Sequence, residues 1–289
     1  MTSAKLVWQS KLVLLAVLPF AGVNVLLEGR WWLAQSPVVA AWTIGLSALL
    51  GLTTWAVRAA TLEAAATGAA ITASLMFSTV SFPYAPWHTA IVPILAVSLL
   101  AFAATRAGRR KKERLGTAEA RQGRRASQVA ANLGLAALIS LLPVQSWLVE
   151  SGLVRSTLVP TPVFVLTLAA LAEAAADTVS SEIGQVFGGQ PRLITTLRPV
   201  ATGRDGAVSL TGTFAGVLAA GIVADVGTWA LRGDWTLFWV SCAGAVFGFF
   251  FDSLLGATLE EWGWLNNEAV NFLSTASAAG VALGLLCLR

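Results

Sequence analysis

Apolar residues run nearly unbroken over positions 6–27, 33–57, 61–82, 87–105, 128–149, 158–181, 207–231, 235–258 and 268–288. Each run approaches the roughly 20 residues that an α-helix needs to cross about 30 Å of hydrocarbon. The pattern predicts an all-α fold: a polytopic transmembrane helical bundle of about eight or nine spans, forming a single integral membrane domain over residues 1–289. The run at 61–82 is rich in Ala, Thr and Ser, which predicts a shortened or re-entrant segment. Trp31, Trp32, Trp87, Trp147, Trp229, Trp235, Trp262 and Trp264 fall at the ends of runs, as aromatic residues do at headgroup depth. Gly29, Arg30, Trp31 and Trp32 follow the first run in place of a small-residue cleavage site, so that span is expected to be retained.

Composition agrees with the pattern. The chain is 56% hydrophobic and 12% charged, with a mean hydropathy of +0.73, so its solvent is mostly lipid. Cys242 and Cys287 lie inside apolar runs without CxxC spacing, which leaves neither a metal cluster nor a disulfide framework. Charge then supplies a direction. With the N-terminus inside, Lys5, Lys11, Arg58, nine basic residues from Arg106 to Arg125, Arg192, Arg198 and Arg204 are cytoplasmic, 15 in all. Only Arg30, Arg155, Arg232 and Arg289 fall outside. This asymmetry predicts a cytoplasmic N-terminus and cytoplasmic loops at 106–127 and 184–206. Residence in a bacterial cytoplasmic (inner) membrane is expected. The net charge of +4 calls for no nucleic-acid partner, because the basic excess sits in one short loop beside anionic lipid heads. Oligomeric state is left open.

Polar groups interrupt the runs in two places. Glu173, Asp177 and Ser181 lie one helical turn apart on one face, with Glu182 beside them. Asp252, Gly256 and Glu260 do the same in FFFDSLLGATLEE. A carboxylate inside a span costs about 2.5–3.5 kcal/mol on insertion scales, so these acids are expected to face a wet or protein-lined cavity. Such oxygen-rich convergence suits Mg²⁺, which takes one or two carboxylates plus phosphate oxygens and water. The plainer reading is that the acids cap helices or pair with loop arginines.

Between the two acidic sites lies PRLITTLRPVATGRDGAVSLTGTFAG, residues 191–216, with Gly203, Gly206, Thr195, Thr196, Thr202, Ser209 and Arg198. A glycine-rich turn with arginines leading into a helix N-terminus is a recurrent phosphate cradle. The segment matches neither GxxxxGK[ST] nor GxGxxG, and a flexible basic connector is the competing reading. Gln128 and Asn132, and Asn267 and Asn271, are amide pairs at helix starts, suited to capping and bridging helices or to holding a phosphate or base. His88 is the lone histidine, which argues against a Ser-His-Asp triad, a His-ligated zinc and a His proton relay.

Together, RRASQVAANLG (124–134), AAADTVSSEIG (174–184), the 191–213 segment, FDSLLGATLE (251–260) and NNEAVNFLST (266–275) resemble the ordered signature blocks of one integral membrane family. That family was long catalogued as a domain of unknown function and includes the chloroplast phytyl-phosphate kinase of vitamin E biosynthesis. The resemblance covers about residues 50–289. It implies transfer of a phosphoryl group from a nucleoside triphosphate, CTP favoured, to an isoprenoid monophosphate. It also implies metal binding by Asp177, Glu182 and Asp252, a catalytic role for these and for Arg198, and nucleotide binding by the glycine loop. The order of the blocks is distantly similar to CTP-dependent polyprenol kinases and lipid cytidylyltransferases, which remain the alternative chemistry. A different class, an ion-coupled transporter or lipid scaffold, would require paired repeats and midplane polar groups.

Overall fold

The computed structural model describes residues 6–153 and 161–288. Its helices are α1 (Val7–Gln35), α2 (Pro37–Ala56), α3 (Leu62–Ser78), α4 (Ile91–Arg106), α5 (Arg109–Leu115), α6 (Ala126–Ile139), α7 (Leu142–Glu150), α8 (Thr161–Phe187), α9 (Leu210–Ala230), α10 (Trp235–Leu255) and α11 (Asn267–Cys287). A π-helical turn, Gly256–Glu260, extends α10. Two short strands, β1 (Arg192–Leu193) and β2 (Ala207–Val208), pair antiparallel, with Arg192 opposite Val208.

The all-α membrane bundle is as expected. Six helices among the described residues are long and apolar enough to cross a membrane, and the bent pairs α4–α5 (64°) and α6–α7 (53°) bring the number to eight. The third apolar run gives α3, whose 17 residues fall short of a full span. The bend between α6 and α7 coincides with Pro143, whose ring cannot continue the helical hydrogen-bond ladder.

The bundle is built around α8. Its apolar residues are buried from Val163 to Val179, and α4, α6, α9, α10 and α11 pack around it. A helix apolar on every side belongs at such a centre. Without a hydrophobic drive between helices in lipid, contact depends on close approach. At Gly216 of α9 a Cβ would stand 2.8 Å from the Ala176 carbonyl of α8, so only glycine permits this packing. Helices α1 and α2 form the outer layer, with large apolar side chains such as Leu15, Leu26, Leu49 and Leu52 exposed to lipid.

Helix direction alternates, which gathers one set of ends on one face. Gln9 Nε2 of α1 donates to the Trp264 carbonyl at 2.8 Å, and Asn266 Nδ2 donates to the Leu6 carbonyl at 2.8 Å. Arg106 Nη2 donates to the Val57 carbonyl at 2.8 Å, and Lys111 Nζ to the Val186 carbonyl at 2.5 Å. The opposite face is tied by Arg232, which donates to the Phe82 and Pro83 carbonyls at 3.2 and 2.9 Å. Arg58, the 106–125 basic residues, Arg192, Arg198 and Arg204 thus share a face, which we term the basic face. Arg155 lies outside the described residues.

One expectation is corrected here. The basic stretch 106–127 is not a plain loop, because α5 turns 64° from α4 and carries Lys112 inward to complete burial. Lys112 Nζ donates to the Ala104 and Thr105 carbonyls at 2.7 and 3.1 Å and to Glu182 Oε2 at 2.5 Å. These bonds replace its water shell.

Candidate functional site

At the basic face a polar cavity of about 270 Å³ opens between the ends of α6, α8, α9, α10 and α11. Three helix N-termini border it, at Arg124 and Gln128 before and within α6, Ser209 before α9, and Asn267 in α11. Their unpaired N–H groups and positive dipole ends favour anions. The C-terminal parts of α8 and α10 contribute carboxylates.

Asp177 of α8 and Asp252 of α10 line the same cavity. The helices deliver them together because both sit in the C-terminal halves of their helices, and α8 and α10 pack side by side. Asp252 Oδ2 is buried without a hydrogen-bond partner. An orphaned buried carboxylate oxygen is costly unless a ligand completes it. Glu260 and Asp205 also line the cavity. Asp205 is held above the usual carboxylate range by desolvation and then by the Glu261 carboxylate, while Arg204 pulls it down.

Glu182 lines the cavity too, but its oxygens are engaged: Oε2 by Lys112 at 2.5 Å and Oε1 by the Thr105 hydroxyl at 3.1 Å. The amide residues combine two roles. Gln128 Oε1 accepts from the Arg125 N–H at 2.7 Å, capping α6, and Asn271 Nδ2 donates to Asn132 Oδ1 at 2.8 Å, bridging α11 to α6. Gln128, Asn132, Asn267 and Asn271 nonetheless all line the cavity. Glu268 next to it pairs with Arg125 at 2.8 Å and accepts from Ser127.

The glycine segment forms one wall of the cavity through Thr202, Gly203, Arg204, Asp205, Gly206, Ala207 and Ser209. Gly206 has φ +70°, and a Cβ there would stand 2.4 Å from the Ala257 nitrogen, so glycine is required for the loop to seat on the π-helical turn. Ser209 caps α9 by accepting from the Gly212 N–H at 3.1 Å. Thr195, Thr196 and Arg198 are not brought to the cavity. They occupy the exposed tip of the β1–β2 hairpin, where Arg198 is linked by its backbone carbonyl to the Leu193 N–H. The cations that do line the cavity are Arg124 and Arg204, the latter paired with Glu261. Sequence reading passed over Arg124 as part of a topology-determining cluster. Its position at the start of the first signature block was the available signal.

A second, apolar groove adjoins the polar cavity, bounded by α2, α3, α4 and α6 and sharing Glu119, Arg124 and Asn132 with it.

Among the described residues no three His, Cys, Asp or Glu groups form a ready-made metal cluster. The donor set still fits Mg²⁺. Two hard carboxylates, Asp177 and Asp252, line the one cavity, the second with an orphaned oxygen, and Mg²⁺ normally completes its shell with phosphate oxygens and water. The acid excess of the cavity points the same way, since a polyphosphate needs accompanying cations to enter it.

The family model of the integral membrane proteins DUF92 matches residues 45–279. An uncharacterised membrane protein of Synechocystis is 36% identical over 210 residues, covering 69% of this chain and 74% of the relative. One from Methanocaldococcus jannaschii is 40% identical over 120 residues, 42% of this chain and 50% of the relative. The chloroplast protein VTE6 of Arabidopsis thaliana is 30% identical over 201 residues, 66% of this chain and 56% of its own length. No solved structure matches the chain significantly.

Proposed function

The chain belongs to the DUF92 integral membrane family, and from that premise we propose that it is a membrane-embedded isoprenoid monophosphate kinase. It passes the terminal phosphoryl group of CTP, or another nucleoside triphosphate, to a prenyl or phytyl monophosphate at the cytoplasmic face. The family's inclusion of the chloroplast phytyl-phosphate kinase supports the reaction class. The observation that carries the reading for this chain is that Asp177 and Asp252, from two different helices, line one polar cavity ringed by helix N-termini.

The reaction asks little covalent chemistry of the protein. A phosphate oxygen of the acceptor, already anionic near neutral pH, attacks the terminal phosphorus, and the bond from that phosphorus to the bridging oxygen breaks, releasing the nucleoside diphosphate. No general base is needed, so a site without histidine is adequate. Bound at Asp177 and Asp252, Mg²⁺ would neutralise the charge carried by the phosphate oxygens. The N-terminal N–H groups of α9 and α11 hold phosphate oxygens by hydrogen bonding. Asn267 and the Thr202 hydroxyl line the same space and orient the donor. The 203–206 turn, seated on α10, keeps water away from the transferring group.

Purified protein incubated with Mg²⁺, a panel of nucleoside triphosphates, and prenols and prenyl monophosphates should convert only the monophosphates, to diphosphates. Asp177→Asn and Asp252→Asn should each lower kcat by at least about 100-fold, roughly 2.7 kcal/mol of lost charge stabilisation. Full turnover by either variant rejects the site.

A further inference from the structure

We propose that the apolar groove seats the proximal tail of the prenyl monophosphate, and that Arg124, at its junction with the acid cavity, holds the acceptor's phosphate. The identity of the lipid rests on the kinase reading. The groove and its cation are independent of it.

The groove is lined by Leu50 of α2, Ala65 and Gly68 of α3, Ile94, Val97 and Ala101 of α4, with Ala174 of α8 behind them. This wall is mostly apolar, and the groove also carries Arg58, Arg106, Arg109 and Arg124 against the single carboxylate of Glu119. An apolar slot that also carries cations complements an apolar tail carrying an anionic head. Two of these arginines are committed elsewhere. Arg106 donates to the Val57 carbonyl and lies 4.5 Å from the Phe102 ring, and Arg109 pairs with Glu113 at 3.2 Å.

Arg124 differs from them. Its Nη2 reaches the Thr178 hydroxyl only at 3.4 Å, which leaves most of its five donors for a ligand. It is also the arginine shared by both cavities. Its backbone is pinned, since its N–H donates to the Ala59 carbonyl at 2.9 Å and its carbonyl accepts from the Thr61 N–H at 3.0 Å. The guanidinium therefore stands on a fixed base, between the tail's groove and the acids that face the donor. A phosphate held there has its attacking oxygen directed into the cavity.

The groove is small, about 130 Å³, so it takes the part of the tail next to the phosphate, and the rest of the tail stays in lipid.

The test uses the full chain in lipid nanodiscs and a prenyl monophosphate with a diazirine on its first isoprene unit. Photolabel should map to α3 or α4, be competed by unmodified prenyl monophosphate but not by phosphatidylglycerol, and fall at least about tenfold in Arg124→Gln. Label on the lipid-facing sides of α1 or α9, or label displaced equally by phosphatidylglycerol, overturns the assignment. Gly68→Leu extends a side chain into the groove, where a Cβ would meet only Val129 Cγ1 at 3.7 Å. It should raise the acceptor KM about tenfold while the nucleotide KM stays within about twofold. No change, or an equal rise in both, contradicts the groove. If no nucleotide supports transfer, the kinase reading fails while competed groove label still upholds the lipid-phosphate seat. If transfer proceeds and the label lies elsewhere, the seat fails and the kinase reading stands.

Discussion

Lys112 and Glu182 show how a residue legible as functional can be held by a structural partner. Their ion pair, 2.5 Å long with Lys112 sealed from solvent, fastens α5 and the end of α4 to α8. Removing one partner of a buried pair typically costs about 3–5 kcal/mol, because the other charge is left alone. Lys112→Met should therefore lower thermal stability strongly, and the double variant Lys112→Met/Glu182→Leu should recover most of it. If the double variant also keeps its Mg²⁺ dependence, Glu182 is a fastening and not a ligand. A rescued fold that no longer responds to Mg²⁺ would restore the role implied by the family resemblance.

Asp205 gives a signed pH effect. Its folded-state value is raised, so its ionisation opposes the folded loop once pH exceeds the usual carboxylate range. Asp205→Asn should raise the melting temperature at neutral pH, with the gain vanishing in acid, where both side chains are neutral. A gain that persists in acid would show another cause. The acids Asp177 and Asp252 were legible because a carboxylate in an apolar run must have a polar destination. Arg198 misled for the opposite reason: loop arginines carry no such constraint, and only the fold shows that Arg124 lines the cavity and Arg198 does not.

Among elements, the apolar runs announced the helices, and the Ala-, Thr- and Ser-rich third run announced the short α3. The turn of α5 away from α4 was not announced. Its cause is long-range, a lysine reaching a glutamate 70 positions away. The 191–209 segment was readable as glycine-rich but not as a strand pair seated on a π-helical turn, because Gly206 is required by its contact with Ala257. Gly206→Val introduces both a disfavoured positive φ and that collision. It should lower kcat/KM at least about tenfold and make the loop more sensitive to limited proteolysis, with helical content unchanged. Normal kinetics with an intact loop would show that the turn does not shape the site.

For the molecule as a whole, alternating helices gather the signature blocks at one face, around a centre that α8 fills. The single His88, hydrogen-bonded to the Ala230 carbonyl at 3.1 Å, lies on the other. We propose, from the positive-inside asymmetry, that the basic face is cytoplasmic. Gly116, exposed on that face, is the site for a cysteine probe. In a Gly116→Cys variant, an impermeant thiol reagent should modify position 116 in inverted vesicles and not in intact cells. Modification from outside would invert the orientation and place the nucleotide on the wrong side. That orientation brings a water-soluble donor to a lipid acceptor at one interface, which explains why the site is built at helix ends rather than at midplane.

The central claim is phosphoryl transfer to a lipid monophosphate, and doubly labelled CTP tests it most directly. The purified chain is given Mg²⁺, a prenyl monophosphate and CTP carrying distinguishable labels on its α- and γ-phosphates, and the lipid product is separated and counted. The account predicts a prenyl diphosphate carrying only the γ-label, with CDP released in equal amount. A lipid product carrying the α-label and cytidine would show nucleotidyl transfer instead, and would contradict it.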